Sequence, residues 1–212
     1  MKIKQIQNNP FQENTYIIYD SESCETAIID CGALFPQEEE TIKQFIANNN
    51  LTVKYLLNTH LHLDHCFGNH WASQYFGIQP AAHADDQPLL TRMADQLRMF
   101  NLPFQVTPQP LGSHLNDGDT LQLGSHTIQV IHTPGHSLGG LCFYIPSIQW
   151  LISGDTLFAG SIGRTDLEGG SYSTLIKSIQ TKIMTLPETT IVYPGHGPYT
   201  TILDEQQNNP FL

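Results

Sequence analysis

Asn58-Thr59-His60-Leu61-His62-Leu63-Asp64-His65, preceded by the largely apolar run Val53-Lys54-Tyr55-Leu56-Leu57, is the stretch whose reading decides the fold. Three histidines and one aspartate within six positions carry far more ligand density than an ordinary loop. Imidazole combined with carboxylate suits zinc, iron or manganese rather than a soft thiolate site. The run before it is short, apolar and aromatic, which reads as a buried strand. A strand that ends in a cluster of ligands is what a metal site at a sheet edge needs.

Three more apolar strands end the same way. Residues 127–131 lead to His132-Thr133-Pro134-Gly135-His136, residues 149–152 to Ser153-Gly154-Asp155, and residues 191–193 to Pro194-Gly195-His196-Gly197. Each delivers a ligand-type residue just past the strand through a Gly or Pro turn. In layered sheets, ligands bind beyond the carboxyl ends of strands, where loops from distant parts of the chain converge. The donors are then His60, His62, Asp64, His65, His136, Asp155 and His196, more than one tetrahedral ion takes and enough for two ions sharing a bridge. Extended spacing lets His60 and His62 share one ion, while Asp64 and His65 begin the following turn and can address a second. A carboxylate such as Asp155 can bridge, since each oxygen can take one metal. The remaining histidines (His70, His83, His114, His126, His132) lack such context and read as surface or hydrogen-bonded core residues. His132, close to His136, fits an outer supporting position as well as a ligand.

Composition narrows the function classes. A formal charge of −11 with only nine Lys and Arg argues against a nucleic-acid surface. No apolar stretch approaches the roughly 18 residues that span a bilayer, and the N-terminus alternates like a strand rather than a signal peptide. Cys24, Cys31, Cys66 and Cys142 form no CxxC pair and fit a reducing, cytoplasmic compartment. Cys66 follows His65 directly, but the site has nitrogen and oxygen donors without it.

Strands are expected at 2–7, 15–20, 24–30, 53–57, 78–82, 120–123, 126–131, 141–145, 149–152 and 191–193. Helices are expected over Pro36 to Asn49, Cys66 to Phe76, Asp86 to Phe100 and Ser171 to Met184, from apolar positions at i, i+3 and i+4. The Pro-rich stretch from Asn101 to His114 is expected to be irregular, either a wall over the site or a segment packed on the core. Strands and flanking helices in each half suggest two packed sheets with helices outside.

Taken together, H-x-H-x-D-H (60–65), T-P-G-H-S-x-G (133–139), S-G-D-T-L-F (153–158) and Y-P-G-H-G-P (193–198) resemble the metallo-β-lactamase superfamily, and most of all its glyoxalase II-type hydrolases. The resemblance runs over essentially the whole chain. It implies an α+β fold, a four-layer αββα sandwich of two mixed β-sheets with helices on the outer faces, with residues 1–212 as one hydrolase domain. It implies His60, His62 and His136 on one metal, Asp64, His65 and His196 on the other, and Asp155 bridging, with two divalent ions, zinc first and iron or manganese as alternatives. A hydroxide held by the ions would attack a thioester carbonyl, with Asp64 orienting it. An S-2-hydroxyacyl thiol such as S-lactoylglutathione would be the substrate, taken by a monomer or homodimer needing no nucleic acid or membrane.

Asp155 stands where many true β-lactamases carry a cysteine, which disfavours antibiotic hydrolysis. The Gly160-to-Asp166 segment and the Asn209-Pro210-Phe211 tail look like short bacterial glyoxalase II-like proteins. Full-length glyoxalase II has a further helical domain with basic residues for glutathione. Arg164, the basic residue close to a metal motif, is expected either to anchor a substrate carboxylate or to lock the turn after Asp155. A mononuclear iron persulfide dioxygenase, using the equivalents of His60, His136 and Asp155, is the alternative; a lactonase and a non-enzymatic metal-binding module rank below it.

Overall fold

The computed structural model describes residues 1–212. In chain order it contains β1 (Lys2–Asn8), β2 (Glu13–Tyr19), β3 (Glu25–Ile29), α1 (Pro36–Asn48), β4 (Thr52–Leu57), α2 (Leu63–Cys66), α3 (Asn69–Phe76), β5 (Pro80–Ala82), α4 (Gln87–Thr91), α5 (Met93–Met99) and β6 (Ser113–His114). The second half holds β7 (Thr120–Leu123), β8 (His126–His132), β9 (Leu141–Ile145), β10 (Trp150–Gly154), β11 (Leu157–Phe158), β12 (Ser161–Ile162), α6 (Tyr172–Ser178), β13 (Ile191–Pro194), β14 (Thr200–Thr201) and α7 (Ile202–Asn208).

Two six-stranded sheets form, in the orders β1-β2-β3-β4-β5-β6 and β14-β13-β10-β9-β8-β7. Both are mixed: β3, β4, β5 and β6 run parallel, as do β10 and β13, while the other neighbours are antiparallel. The central strands are apolar on both faces because each sheet is covered twice. Along β2, Tyr16 and Ile18 enter the core between the sheets with Ile29, Leu57, Val130 and Phe143. Ile17, between them, points the other way and packs with Ile28, Leu56, Ile42 and Ala72 under α1 and α3. On the second sheet Leu151 and Val192 meet Leu175, Ile179, Ile183 and Ile202 from α6, its π-helical continuation Ile179–Ile183 and α7. These are the four layers of the αββα sandwich.

Local chemistry starts and stops the helices. Pro36 opens α1, and Glu38 reaches back with Oε2 to accept from the backbone N–H of Leu34 (2.7 Å) and Phe35 (3.0 Å). The helix expected over 86–100 is two pieces that meet at Arg92, which leaves the helical region with φ −103° and ψ 12°. Across the break, Leu90, Met93 and Leu97 stay in one cluster with Leu61, Leu63 and Phe67 in and just after the histidine-rich stretch. Leu102, Phe104, Val106 and Leu111 of the Pro-rich segment pack on that cluster too, and its end, Ser113–His114, is not irregular but pairs with β5 as β6. No helix is long and apolar enough to cross a membrane.

Candidate metal centre

The ends of β4, β8, β10 and β13 lie at one edge of the sandwich, where the two sheets are tied together. Leu141 N–H donates to the Thr59 carbonyl at 2.7 Å, Asn14 N–H to Gly195 at 2.8 Å, and the Tyr16 hydroxyl to the Pro194 carbonyl at 2.7 Å. Two glycines permit this approach. At Gly154 (φ +50°) a Cβ would lie 2.3 Å from Thr59 Oγ1 of the facing sheet, and at Gly135 (φ +135°), which lets α6 close on the His136 loop, 2.3 Å from the backbone nitrogen of Leu175.

All seven donors expected from the sequence meet here. His60, His62 and His136 form one group of potential ligand atoms, and Asp64, His65 and His196 another. Asp155 lies between them. Its Oδ1 is 3.4 Å from His65 Nε2, while its Oδ2 is 3.5 Å from His136 Nε2 and 3.7 Å from His196 Nε2.

The nitrogen that each ring aims at the centre is fixed by what the other nitrogen touches. His136 Nδ1 lies 2.7 Å from the Arg164 carbonyl and His196 Nδ1 3.1 Å from the Phe11 carbonyl; a carbonyl only accepts, so both Nδ1 atoms donate. Asp30 accepts from Thr59 N–H (2.7 Å), from Thr59 Oγ1 (2.6 Å) and from His65 Nδ1 (3.0 Å). With its proton given to Asp30, the Thr59 hydroxyl accepts from His60 Nδ1 at 3.1 Å. In their neutral forms, four rings therefore turn the Nε2 lone pair to the centre.

Those lone pairs face one another. His60 Nε2 lies 3.2 Å from His136 Nε2, and His62 Nδ1 is 2.9 Å from that same atom. His65 Nε2 and Asp155 Oδ1 are both buried without a hydrogen-bond partner. A cage of buried, electron-rich atoms that repel one another is what a cation resolves, so the donor set fits metal ions.

Charge tells the same story. Burial pushes the His60 imidazole well below its ordinary range, and His65 and His136 push it further. His62 is brought down to about 3 by burial and by His136. His65 moves the other way: burial opposes protonation, but Asp155, Asp64 and Asp30 outweigh it and draw in positive charge. Asp64 and Asp155 are held below the carboxylate range, since His65 overcomes the burial that would raise each of them.

Three acids that support this arrangement carry no motif. Asp30 adopts a left-handed φ of +52° to reach Thr59 and His65. Asp86, just before α4, accepts from Leu61 N–H (3.2 Å), Ser137 Oγ (2.8 Å) and Gly139 N–H (2.7 Å), so it fastens two donor loops to each other. Glu13 is fully buried and grouped with Asp30 and His65; desolvation pushes its carboxyl well up, toward the neutral form. One signal for Asp30 was in the sequence: like Asp155 it directly ends a buried strand, Ala27-Ile28-Ile29.

The other histidines point elsewhere. His132 Nε2 donates to the Leu138 carbonyl (2.9 Å), and its ring stacks on His83 at 4.2 Å. His70, His114 and His126 pair with Gln109, Gln87 and Ser147. Cys66 turns its Sγ to the His62 carbonyl at 3.3 Å, and burial raises its thiol. The Arg164 side chain pairs with Asp166 through two bonds of 2.7 and 2.8 Å, while its carbonyl orients His136.

A cavity of about 350 Å³ opens over the donors, walled by Phe11, Phe100, Phe158, Ile162 and Leu167. Phe100 and Gln96, from the end of α5, supply one side of the cavity. Residues 101–112 do not line the cavity and instead pack beneath it.

The chain has clear relatives. The metallo-beta-lactamase superfamily model matches residues 8–196. The hydroxyacylglutathione hydrolase GloC of Haemophilus influenzae is 38% identical over 213 residues, covering 100% of this chain and 98% of that protein. Among solved structures, BLEG-1, a B3 metallo-beta-lactamase, has a TM-score of 0.90 at 38% identity, with 100% of this chain and 99% of that one covered. TTHA1623 in a di-iron-bound form has a TM-score of 0.86 at 33% identity, with coverage of 99% and 100%. The class defined by this sandwich and its donor-lined edge is that of the metallo-hydrolases. The chain belongs to the metallo-β-lactamase superfamily.

Proposed function

We propose that the chain is a glyoxalase II-like hydrolase that cleaves a thioester, an S-2-hydroxyacyl thiol such as S-lactoylglutathione, at a centre of two divalent cations. In this reading His60, His62 and His136 would hold one ion and Asp64, His65 and His196 the other, with Asp155 serving both groups; zinc is the first choice, with iron or manganese as alternatives. The observation that carries it is Asp155, which reaches both donor groups at once, its Oδ1 toward His65 and its Oδ2 toward both His136 and His196. Likeness to GloC and to a di-iron-bound structure supports it.

Paired cations acidify water and polarise a carbonyl, so no separate strong base is needed. The residues supply the rest. Asp64 lines the cavity, its Oδ2 3.2 Å from His196 Nε2, and as an ionised acceptor it holds and aims a water molecule. The aromatic wall excludes bulk water and seats the acyl group. Hydrolysis forms a C–O bond and breaks the C–S bond, and the thiolate leaves with little need for a proton donor.

Likeness to BLEG-1 favours β-lactam hydrolysis as the second reading. Metal analysis of protein purified without added metal, run beside assays on S-lactoylglutathione and a chromogenic cephalosporin, tests the proposal. About two equivalents of zinc, or of zinc with iron, and thioester cleavage are expected, and Asp155→Ala should lose both ions and at least about 10³-fold in kcat. One iron with oxygen consumption on glutathione persulfide, or a metal-replete active Asp155→Ala, refutes it.

A further inference from the structure

The thiol half of the substrate has to lie along the cavity away from the metal donors, and the charges there are already committed. Two arginines border that space. Arg164 is bound by both oxygens of Asp166, and Arg92, from the break between α4 and α5, is paired with Glu168. Asp166 and Glu168 belong to one loop, so the same segment occupies both cations. No lysine lines the cavity or the smaller recess that continues from it past Gln96, Met99 and Phe100. The recess instead adds Asp95 and Glu168.

These ion pairs are exposed and individually weak, which would let an incoming carboxylate displace one. Displacement gains little, because it exchanges one carboxylate on the arginine for another and strands Asp166 or Glu168 beside the newcomer. A glutathione thioester brings two carboxylates and net negative charge to a chain of formal charge −11. Like charges brought together oppose binding. The remaining surface on offer is apolar: Phe11 meets Phe100 edge to face at 5.5 Å, and Phe158 stands over His196 at 6.3 Å.

We propose that the pocket selects thioesters whose thiol half is uncharged and largely apolar, and that Asp166 and Glu168 set this preference by occupying Arg164 and Arg92. The proposal rests on the thioester-hydrolase reading for its catalytic consequence, though not for the binding preference itself.

Three S-lactoyl thioesters with the same acyl group test it: those of N-acetylcysteamine (neutral), N-acetylcysteine (one carboxylate) and glutathione. The metal-loaded enzyme is expected to show kcat/KM falling in that order, by about tenfold or more from first to last. The double variant Asp166→Asn/Glu168→Gln should shift the ratio of glutathione to neutral ester at least about fivefold toward glutathione. Calorimetric binding of two thioethers, S-hexyl-N-acetylcysteamine and S-hexylglutathione, gives a readout independent of turnover, with the neutral one bound tighter. Equal or better hydrolysis of the glutathione ester by the unmodified enzyme, an unmoved ratio in the double variant, or equal thioether affinities would overturn the selectivity while leaving the thioesterase standing. Failure to cleave any of the three esters, with the neutral thioether still preferred, overturns the thioesterase and leaves the pocket preference in place.

Discussion

Replacing Asp30 by Asn tests the support of the metal centre without replacing a proposed ligand. The carboxylate accepts three hydrogen bonds, Oδ1 from Thr59 N–H and Oδ2 from both Thr59 Oγ1 and His65 Nδ1. An asparagine has the same shape and tolerates the left-handed φ of +52°, so backbone strain is unchanged. Its amide nitrogen, however, must face a donor on whichever side it lies. One charge-assisted bond is lost and a buried donor is left facing another donor, about 3 kcal/mol together. For a chain of this size that is a fall in Tm of roughly 6–12 °C. His65 also loses the anion that fixes its tautomer, and disruption of such supporting contacts weakens metal affinity by about 10–100-fold. Zinc affinity by chelator competition and thermal unfolding of the metal-free chain measure the two effects separately. Affinity within about twofold of the parent, alongside the expected loss of stability, would refute the orienting role of Asp30 and leave it a purely structural anchor.

Two further predictions are simpler. Gly195→Ala places a Cβ 2.3 Å from Asp155 Oδ1 and 2.6 Å from the His65 ring, so inductively coupled plasma analysis should find less than half the parent's bound metal; full occupancy would show that the loop yields. His83 is held below the ordinary imidazole range by burial and by the stacked His132, with Asp85 opposing. A base whose folded-state pKa is depressed stabilises the fold above its unfolded pKa of about 6.5, and that stability drains away as pH falls below it. Between pH 7.5 and 5, the parent should therefore lose more in Tm than His83→Gln; equal slopes would remove the His83–His132 pair as the cause.

Much of the site could be read from the sequence because each donor sits one turn beyond a strand, and strand ends are marked locally by Gly and Pro. The four-layer order was legible for a related reason: strands such as Ile17–Ile18 and Leu56–Leu57 are apolar at consecutive positions, which only a sheet covered on both faces explains. Asp86 and Glu13 were not legible. Their roles arise from partners 25 to 53 residues away for Asp86, and from burial beside Asp30 and His65 for Glu13, and no periodicity encodes either. The break at Arg92 escaped because the apolar spacing of Leu90, Met93 and Leu97 persists through it. α7 escaped because a helix of seven residues offers too few positions for a pattern. Of the two placements open to the Pro-rich stretch, the structure takes the core, where Leu102, Phe104, Val106 and Leu111 pack, while its neighbours Gln96 and Phe100 line the cavity.

The donors do not come from one half of the molecule. His60, His62, Asp64 and His65 follow a strand of the first sheet, while His136, Asp155 and His196 follow strands of the second. Any cation held by both sets is a rivet through the joint, and its binding energy adds directly to the cohesion of the two sheets. Loss of metal then does more than silence chemistry. It would remove the cross-link at that edge and tie the cohesion of the two sheets to the supply of the bound ion.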